Sequence, residues 1–193
     1  LSLAPLRDLD HPLTDAELIQ SLKKLSNGKS ARPSGVPAEV WKLTLRSPLL
    51  RRDLLQFFNN CMKAGRVPAR WSLGDIVGIY KKHDPTQPCN YRPIALLDTI
   101  YKIYTRMLAT RLSDAIDPYL RSSQYGFRRR RSTAMAAHVV KRAMDALFYK
   151  THIDLNIILC DWNKAFDRVD TAALEDALKA YGIGGQFLQA IKS

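Results

Sequence analysis

Two short β-rich runs interrupt a sequence whose other apolar residues recur at helical spacing, and this change of period constrains the fold most. Residues 75–81 and 91–96 are rich in β-branched and aromatic side chains, and the stretch 83–90 between them contains Pro85, Pro88 and Asn90. Two such runs around a turn-rich stretch predict a β-hairpin with a long tip. Because helical patterns precede and follow this hairpin, the chain is expected to adopt an α+β fold.

Local signals predict where the helices begin and end. Thr14 followed by Glu17 is a capping box that begins the first helix, and Gly28 ends it. Pro37 suits the first turn of a second helix, and Asp98 is placed to cap the helix after the hairpin. Further helices are expected at residues 48–65, 98–117, 132–149 and 171–181, and another begins at 186. The inward face of the third helix is expected to carry Leu50, Leu54, Phe57, Phe58 and Met62.

One further strand is predicted from the apolar run at residues 155–161, which ends in an aspartate. A buried strand would place Ile158 on one face, and Ile158→Ala would then cost about 2–5 kcal/mol. A carboxylate at its end needs a partner, because an unpaired buried charge is costly. Mg²⁺ takes one or two protein carboxylates together with substrate phosphates, so Asp161 is a candidate metal ligand. Spacing alone favours the alternative, in which Asp161 caps a turn or pairs with a lysine.

The balance of charge points to polyanions as partners. The 193 residues contain 30 Lys and Arg against 18 Asp and Glu, a formal net charge of +12. A compact body with this excess attracts nucleic acid, and a merely basic soluble protein is the alternative. No apolar run approaches the roughly 18 residues that span a bilayer, so a membrane protein is not expected. Three widely spaced cysteines predict neither a disulfide framework nor a metal site, and fit a reducing compartment.

Three stretches carry concentrated positive charge. Residues 118–144 contain no acidic side chain, and aromatic residues lie among their arginines, which suits a nucleic-acid backbone with stacked bases. A solvated charge run or a localisation signal is the alternative there. The predicted hairpin carries three cations on or beside its strands, Lys81, Lys82 and Arg92. They suit the neutralisation of a bound triphosphate, and the alternative is that they protect an edge strand from pairing. The basic loop at residues 29–35 could cradle phosphates, although a structural turn is favoured.

In their order along the chain, these features resemble the reverse transcriptases of LINE-type (non-LTR) retrotransposons, with group II intron reverse transcriptases as more distant relatives. The resemblance covers residues 14 to 191, and its landmarks are residues 27–29, 68–71, 79–82, 90–96, 101–103, 124–128 and 161–167. It implies a right-hand polymerase that begins with a helical N-terminal extension at residues 1–65. The fingers would follow at 66–150 and an incomplete palm at 151–193, truncated before the Tyr-x-Asp-Asp hairpin that carries the remaining catalytic aspartates.

The resemblance also assigns roles to individual residues. Asp161 matches the first catalytic aspartate and metal ligand, and the backbone carbonyl of Trp162 would be a further ligand. Lys81 and Arg92 match residues that contact the incoming deoxynucleoside triphosphate, and Phe166 matches the bulky residue that excludes a 2′-hydroxyl. The nucleic-acid-binding residues would be Lys29, Arg32, Gln124, Tyr125, Phe127, Arg128, Arg129, Arg130 and Arg131.

The function implied is RNA-directed DNA synthesis with Mg²⁺, on an RNA template and a DNA primer. The 193-residue chain alone is expected to be inactive, with its remaining catalytic residues supplied by a C-terminal portion or another chain. The alternative is a non-catalytic RNA-binding scaffold derived from such an enzyme. For a eukaryotic element of this type, the resemblance implies an intracellular place of action, in the nucleus at the site of integration. Two departures concern the loop at residues 29–35, where Arg32 stands for the family's glycine and Ser34 for its aspartate.

Overall fold

The computed structural model describes residues 9–31, 33–148, 155–162 and 164–193, which form helices and one small antiparallel sheet. The helices in these ranges are α1 (Asp15–Lys23), α2 (Ala38–Leu43), α3 (Pro48–Ala64), α4 (Thr99–Ile116), α5 (Thr133–Phe148), α6 (Thr171–Ala180) and α7 (Gly185–Lys192). The strands are β1 (Asp75–Tyr80) and β2 (Tyr91–Leu96). This mixture agrees with the α+β class, and the predicted hairpin is confirmed. None of the helices in these ranges is both long and apolar enough to cross a bilayer.

The chain forms two compact units, one from residues up to 112 together with 178–193, the other from 113–177. These units are defined by contacts within the chain. The predicted domains, an extension, fingers and a palm with boundaries at residues 65 and 150, come from the resemblance to reverse transcriptases. They stay a prediction.

The capping box predicted at the first helix is present. The backbone N–H of Glu17 donates to Thr14 Oγ1 at 3.3 Å, and Glu17 Oε2 accepts from the backbone N–H of Thr14 at 2.8 Å. Leu18 and Leu22 then lie fully buried on the inner face of α1. The two otherwise unsatisfied donors at the helix start are thus bonded, and the leucines hold the helix on the core.

Glu17 also binds Arg111 of α4, whose guanidinium is only 4% exposed. Arg111 Nε and Nη2 donate to the two carboxylate oxygens of Glu17 at 2.8 and 2.7 Å. Its remaining hydrogen bonds go to the backbone carbonyls of Leu9, His11 and Pro12 at 2.6 to 3.2 Å. Because a guanidinium has five N–H donors, this set satisfies the whole group and ties α1, α4 and the segment before α1 together.

Aromatic side chains fill the centre of the same unit. The buried Trp71 ring lies 5.3 Å from Tyr101 and 5.8 Å from Tyr104, and Tyr104 lies 5.5 Å from Phe58. Tilted rings at these separations add attraction beyond the burial of their surface. These rings pack α3, α4 and the turn before β1 into one core. Phe58 faces this core, as predicted for the third helix. Two of its expected inward residues, Leu50 and Phe57, are exposed instead.

Polar contacts join α3 and α7 to the segment before α1. Asn59 of α3 accepts from the backbone N–H of Leu13 at 2.6 Å and donates to its carbonyl at 3.1 Å. Asp10 accepts from the backbone N–H of Phe187 at 2.7 Å, at the start of α7. Gly65 ends α3 with a φ of 58°, and a side chain there would lie 3.0 Å from Gln189 of α7. The positive φ therefore favours glycine, and the close approach of α7 leaves little room for a side chain.

The predicted strand at residues 155–161 is wrong. Residues 155–162 form no strand and are exposed along their length, with Ile158 85% exposed. A strand satisfies its backbone groups by pairing with a neighbour, and the only sheet among the described residues is the β1–β2 pair. The apolar run therefore has no partner strand, and Ile158→Ala is expected to cost little. Helix α5 likewise buries none of its residues within the described chain.

Removal of Arg111 is expected to destabilise the first unit strongly. Arg111→Ala leaves Glu17 without its partner in a partly buried site, and breaking such a pair costs about 3–5 kcal/mol. The matched control is Arg52→Ala, which removes an exposed pair with Asp53 at 3.4 Å and should change stability by less than about 1 kcal/mol. Urea unfolding followed by tryptophan fluorescence measures both. Equal losses in the two variants would contradict the role given to Arg111.

The same pair predicts how stability depends on pH. Burial acts to raise the pKa of Glu17, but hydrogen bonds from Arg111 and Thr14 outweigh it and hold the pKa below its usual range. Glu17 therefore contributes stability that is fully present above its unfolded pKa of about 4.3, and is lost as the pH falls through the folded pKa. The free energy of unfolding of Glu17→Gln should fall less steeply than that of the wild type below about pH 4.3. Identical slopes would exclude this contribution.

Candidate functional site

The exposed hairpin presents two cations on one face. Ile79 of β1 pairs with Arg92 of β2, and the backbone N–H of Lys81 donates to the carbonyl of Asn90 at 2.9 Å. Alternate residues of a strand share a face, and directly paired residues share it too. Lys81, two residues beyond Ile79, therefore lies on the face of Arg92. Both side chains are exposed, so this face offers a point charge and a guanidinium fork to an anion.

The hairpin tip is held closed by its own hydrogen bonds. Asp84 accepts from the backbone N–H and hydroxyl of Thr86 at 2.9 and 2.7 Å, and these bonds lower its pKa. Asn90 donates to the carbonyl of Asp84 at 2.8 Å, and the Tyr91 hydroxyl donates to the carbonyl of Pro85 at 2.9 Å. The tip therefore has a defined shape beside the two cations.

The loop at residues 29–35, called here the N-terminal loop, is bonded at its second half. The backbone N–H of Gly35 donates to the carbonyl of Ala31 at 2.6 Å. The backbone N–H of Ser34 donates to the carboxylate of Asp98, 64 positions away, at 2.8 Å. Lys29 is exposed, as a phosphate contact would need, whereas Arg32 lies outside the described residues.

The basic segment (residues 121–131) is built around Arg128. Its guanidinium donates to both carboxylate oxygens of Asp117 at 2.8 and 3.2 Å, and to the carbonyls of Asp117 and Arg121 at 3.0 Å. The hydrogen bond from Arg128 lowers the pKa of Asp117, and Arg128 is only 11% exposed. Arg128 thus has a structural role, because it ties the segment to the turn after α4. Its predicted role in binding nucleic acid stays a prediction, and its engaged donors argue against it.

The other predicted residues of the basic segment lie nearer to solvent. Arg129 pairs with Asp114 at 2.9 Å, and Arg131 lies over the ring of Tyr125 at 5.4 Å. Arg130 is exposed and, with Arg129, lines a cavity of about 310 Å³. Gln124 and Phe127 are exposed as well, and the φ of Phe127 is 60°. A cation stacked on an aromatic ring beside further exposed aromatic and cationic groups suits stacked bases and phosphates.

The residues predicted to act in catalysis lie in the second unit. Asp161, Trp162 and Phe166 are all exposed. Asp170 accepts from the backbone N–H of Ala172 at 2.9 Å at the start of α6. Its carboxylate is stabilised there by the helix N-terminus.

The described residues alone do not build a Mg²⁺ site. No group of three or more His, Cys, Asp or Glu side chains within the described ranges could hold a metal ion. Asp161 offers one carboxylate, whereas two-metal catalysis needs carboxylates on both sides of the metal pair. The described residues therefore supply one carboxylate ligand of such a site, that of Asp161.

Sequence patterns missed the residues that hold this arrangement in place. The sequence predicted Asp98 only as the cap of α4, and it gave no role to Arg111 or Asn59. Each bonds a segment that is distant along the chain, and no local periodicity reports such a contact. One signal was available for Arg111, because it lies on the α4 face that also carries the buried Met107 and Leu108.

A family described as Reverse transcriptase (RNA-dependent DNA polymerase) matches residues 79–193. The chain is 31% identical, over 82% of its length, to a probable RNA-directed DNA polymerase from transposon BS of Drosophila melanogaster. It is 30% identical, over 89% of its length, to a probable RNA-directed DNA polymerase from transposon X-element of the same species. It is 28% identical, over 96% of its length, to a transposon TX1 uncharacterized 149 kDa protein of Xenopus laevis. The chain spans 17%, 19% and 14% of these relatives.

The geometry of the basic segment predicts that its arginines differ in effect. Arg130→Ala should weaken binding of single-stranded RNA and reduce the salt dependence of the affinity, with no change in melting temperature. Arg128→Ala should instead lower the melting temperature and make residues 121–131 more sensitive to protease, because Asp117 loses its partner. Filter binding at several salt concentrations and thermal unfolding measure the two effects. A loss of RNA affinity confined to Arg128→Ala, with unchanged stability, would contradict this assignment.

Proposed function

The chain belongs to the reverse transcriptase (RNA-dependent DNA polymerase) family, in its LINE-type (non-LTR) branch, and from this premise we propose that it carries the template- and nucleotide-binding parts of such a polymerase. The observation that carries the proposal is the family match over residues 79–193, which includes Lys81 and Arg92 of the hairpin, the basic segment and Asp161. The chain spans only a fifth or less of the length of the curated relatives described above. Synthesis of DNA by the whole protein is therefore part of the proposal.

The incoming nucleotide would bind the hairpin face that carries Lys81 and Arg92. Phosphoryl transfer depends on positioning and on neutralising the charge of the phosphates more than on covalent chemistry. Arg92 can bind phosphate oxygens through two parallel N–H groups, and Lys81 adds a compact charge. Their shared face and exposure support this role, and the hydrogen-bonded tip keeps the face in one shape.

The RNA template would bind exposed cationic and aromatic groups. Arg129, Arg130 and Arg131 would contact phosphates, and Tyr125 and Phe127 would stack on bases. Lys29, Arg32 and Gln124 would add further contacts to the backbone. A phosphate would compete with Asp114 for Arg129, since that ion pair is exposed on both sides.

Catalysis would need Asp161 as one ligand of the metal pair, with the backbone carbonyl of Trp162 beside it. When bound, Mg²⁺ lowers the barrier for the primer 3′-hydroxyl and stabilises the pyrophosphate that leaves. Phe166 would lie below the sugar and exclude a 2′-hydroxyl. The exposure of Asp161, Trp162 and Phe166 leaves all three accessible to primer and nucleotide.

A second candidate function is a non-catalytic RNA-binding scaffold of the same origin. The observation in its favour is the exposure of Gln124, Phe127 and Arg130 in the basic segment, since contacts of these groups with RNA need no catalytic metal. The two functions share the basic surfaces and differ in whether Asp161 matters for the activity of the whole protein.

Substitution of Asp161 and Phe166 in the parent polymerase separates these functions. Asp161→Asn should abolish primer extension and leave RNA affinity nearly unchanged, because a metal ligand is lost while the basic surfaces stay. Phe166→Val should retain extension and admit ribonucleotides. Asp176→Asn, an exposed change on α6, is the matched control and should extend as the wild type does.

The isolated 193-residue chain should show no extension with Mg²⁺ and deoxynucleotides. Normal extension by the Asp161→Asn parent would contradict the metal assignment, and a parent that binds RNA but never extends a primer would favour the scaffold. Template-dependent synthesis by the isolated chain would overturn its dependence on further residues.

A further inference from the structure

A buried carboxylate joins the N-terminal loop to the base of the hairpin. Asp98 is 2% exposed and lies between the end of β2 and the start of α4. Its Oδ1 accepts from the backbone N–H of Ser34 at 2.8 Å, and its Oδ2 lies 3.8 Å from Arg70 Nε. Its own carbonyl accepts from the backbone N–H of Lys102 at 3.0 Å within α4. The side chain thus contacts the N-terminal loop and Arg70, and the backbone of Asp98 is bonded to the first turn of α4.

The burial of this carboxylate is costly and is compensated by these contacts. A charged group without partners loses its hydration on burial, so its position is fixed by the groups that replace water. Ser34 supplies a hydrogen bond, and the N-terminus of the 18-residue helix α4 supplies positive potential. Arg70 is 64% exposed and lies 3.8 Å away, so its charge stabilises the Asp98 carboxylate less than the hydrogen bond from Ser34 does. The bond to Ser34 is therefore the contact that depends most on Asp98.

The segment that carries Arg70 and the start of α4 also pack against each other. Trp71, next to Arg70, lies 5.3 Å from Tyr101 of α4. Gly74, before β1, leaves room for Leu97, since a side chain at Gly74 would lie 3.0 Å from it. The base of the hairpin and the start of α4 are thus a packed platform. The N-terminal loop is attached to this platform through the backbone N–H of Ser34.

We propose that Asp98 is a positioning residue that couples RNA bound at the N-terminal loop to the nucleotide bound at the hairpin. The inference rests on the proposed function, because it uses Lys29 as a template contact and Lys81 with Arg92 as the nucleotide site. Asp98 touches neither ligand. It fixes the loop on the platform from which the hairpin extends, so binding of one ligand orders the site of the other.

Two substitutions at Asp98 separate its hydrogen bond from its charge. Asp98→Asn keeps an oxygen that accepts from Ser34 and loses the negative charge, with its attraction to Arg70 and to the N-terminus of α4. Asp98→Ala removes the acceptor and releases the loop from the platform. Hydrogen exchange should show the Ser34 amide protected in the wild type and in Asp98→Asn, and unprotected in Asp98→Ala. Amides in the middle of α3 serve as the control for global unfolding.

The coupling is measured as RNA affinity with and without a deoxynucleoside triphosphate. The 193-residue chain is titrated with a single-stranded RNA oligonucleotide, and each titration is repeated with the triphosphate at saturation. The triphosphate should tighten RNA binding about fivefold or more in the wild type and in Asp98→Asn, and should have no effect in Asp98→Ala. Lys81→Ala should also remove the effect, because it removes a contact to the triphosphate.

The remaining outcomes distinguish failure of the coupling by Asp98 from failure of the proposed function. If Asp98→Ala keeps the full effect of the triphosphate, the inference is overturned and the proposed function stands. The same conclusion follows if the wild type binds both ligands with no mutual effect. A chain that binds neither RNA nor triphosphate overturns the proposed function, and the inference with it. Loss of protection throughout α3 in Asp98→Ala would show a general stabilising role and would also overturn the inference.

Discussion

The pairing of Arg111 with Glu17 is the interaction on which the first compact unit depends. Arg111 uses its whole guanidinium on Glu17 and on three carbonyls before α1, so one buried group fixes two helices and an irregular segment. That segment also carries Asp10, which accepts from the start of α7, and Leu13, which is held by Asn59 of α3. Removal of the guanidinium would therefore release several contacts at once, because they share one stretch of backbone.

The cations of this chain divide into those that hold the fold and those that face solvent. Arg111 and Arg128 are almost fully engaged by protein carboxylates and carbonyls. Lys81, Arg92 and Arg130 are exposed and can exchange water for phosphate. The net charge of +12 alone does not distinguish these two groups. The distinction follows from burial, since desolvated donors must already be satisfied within the fold.

Local chemistry made much of this fold predictable, and long-range pairing limited the rest. The capping box at Thr14 and the hairpin depend on residues close in sequence, and both are confirmed, whereas α1 ends at Lys23 and not at Gly28 as predicted. The strand at residues 155–161 was wrong because an apolar run forms a strand only with a partner. The bonds from Ser34 to Asp98 and from Arg111 to Glu17 span 64 and 94 positions, so no periodicity reports them. The site residues came from the family resemblance, and their roles stay predictions.

A hydrogen-exchange footprint of bound RNA on this chain tests the central claim most directly. The claim is that exposed basic elements bind nucleic acid while the core formed by α1, α3, α4 and α7 holds them in place. Single-stranded RNA should increase protection in the basic segment and in the N-terminal loop, and should leave α1 and α3 unchanged. Protection confined to α1 and α3, with the basic segment and the loop unaffected, would contradict the account.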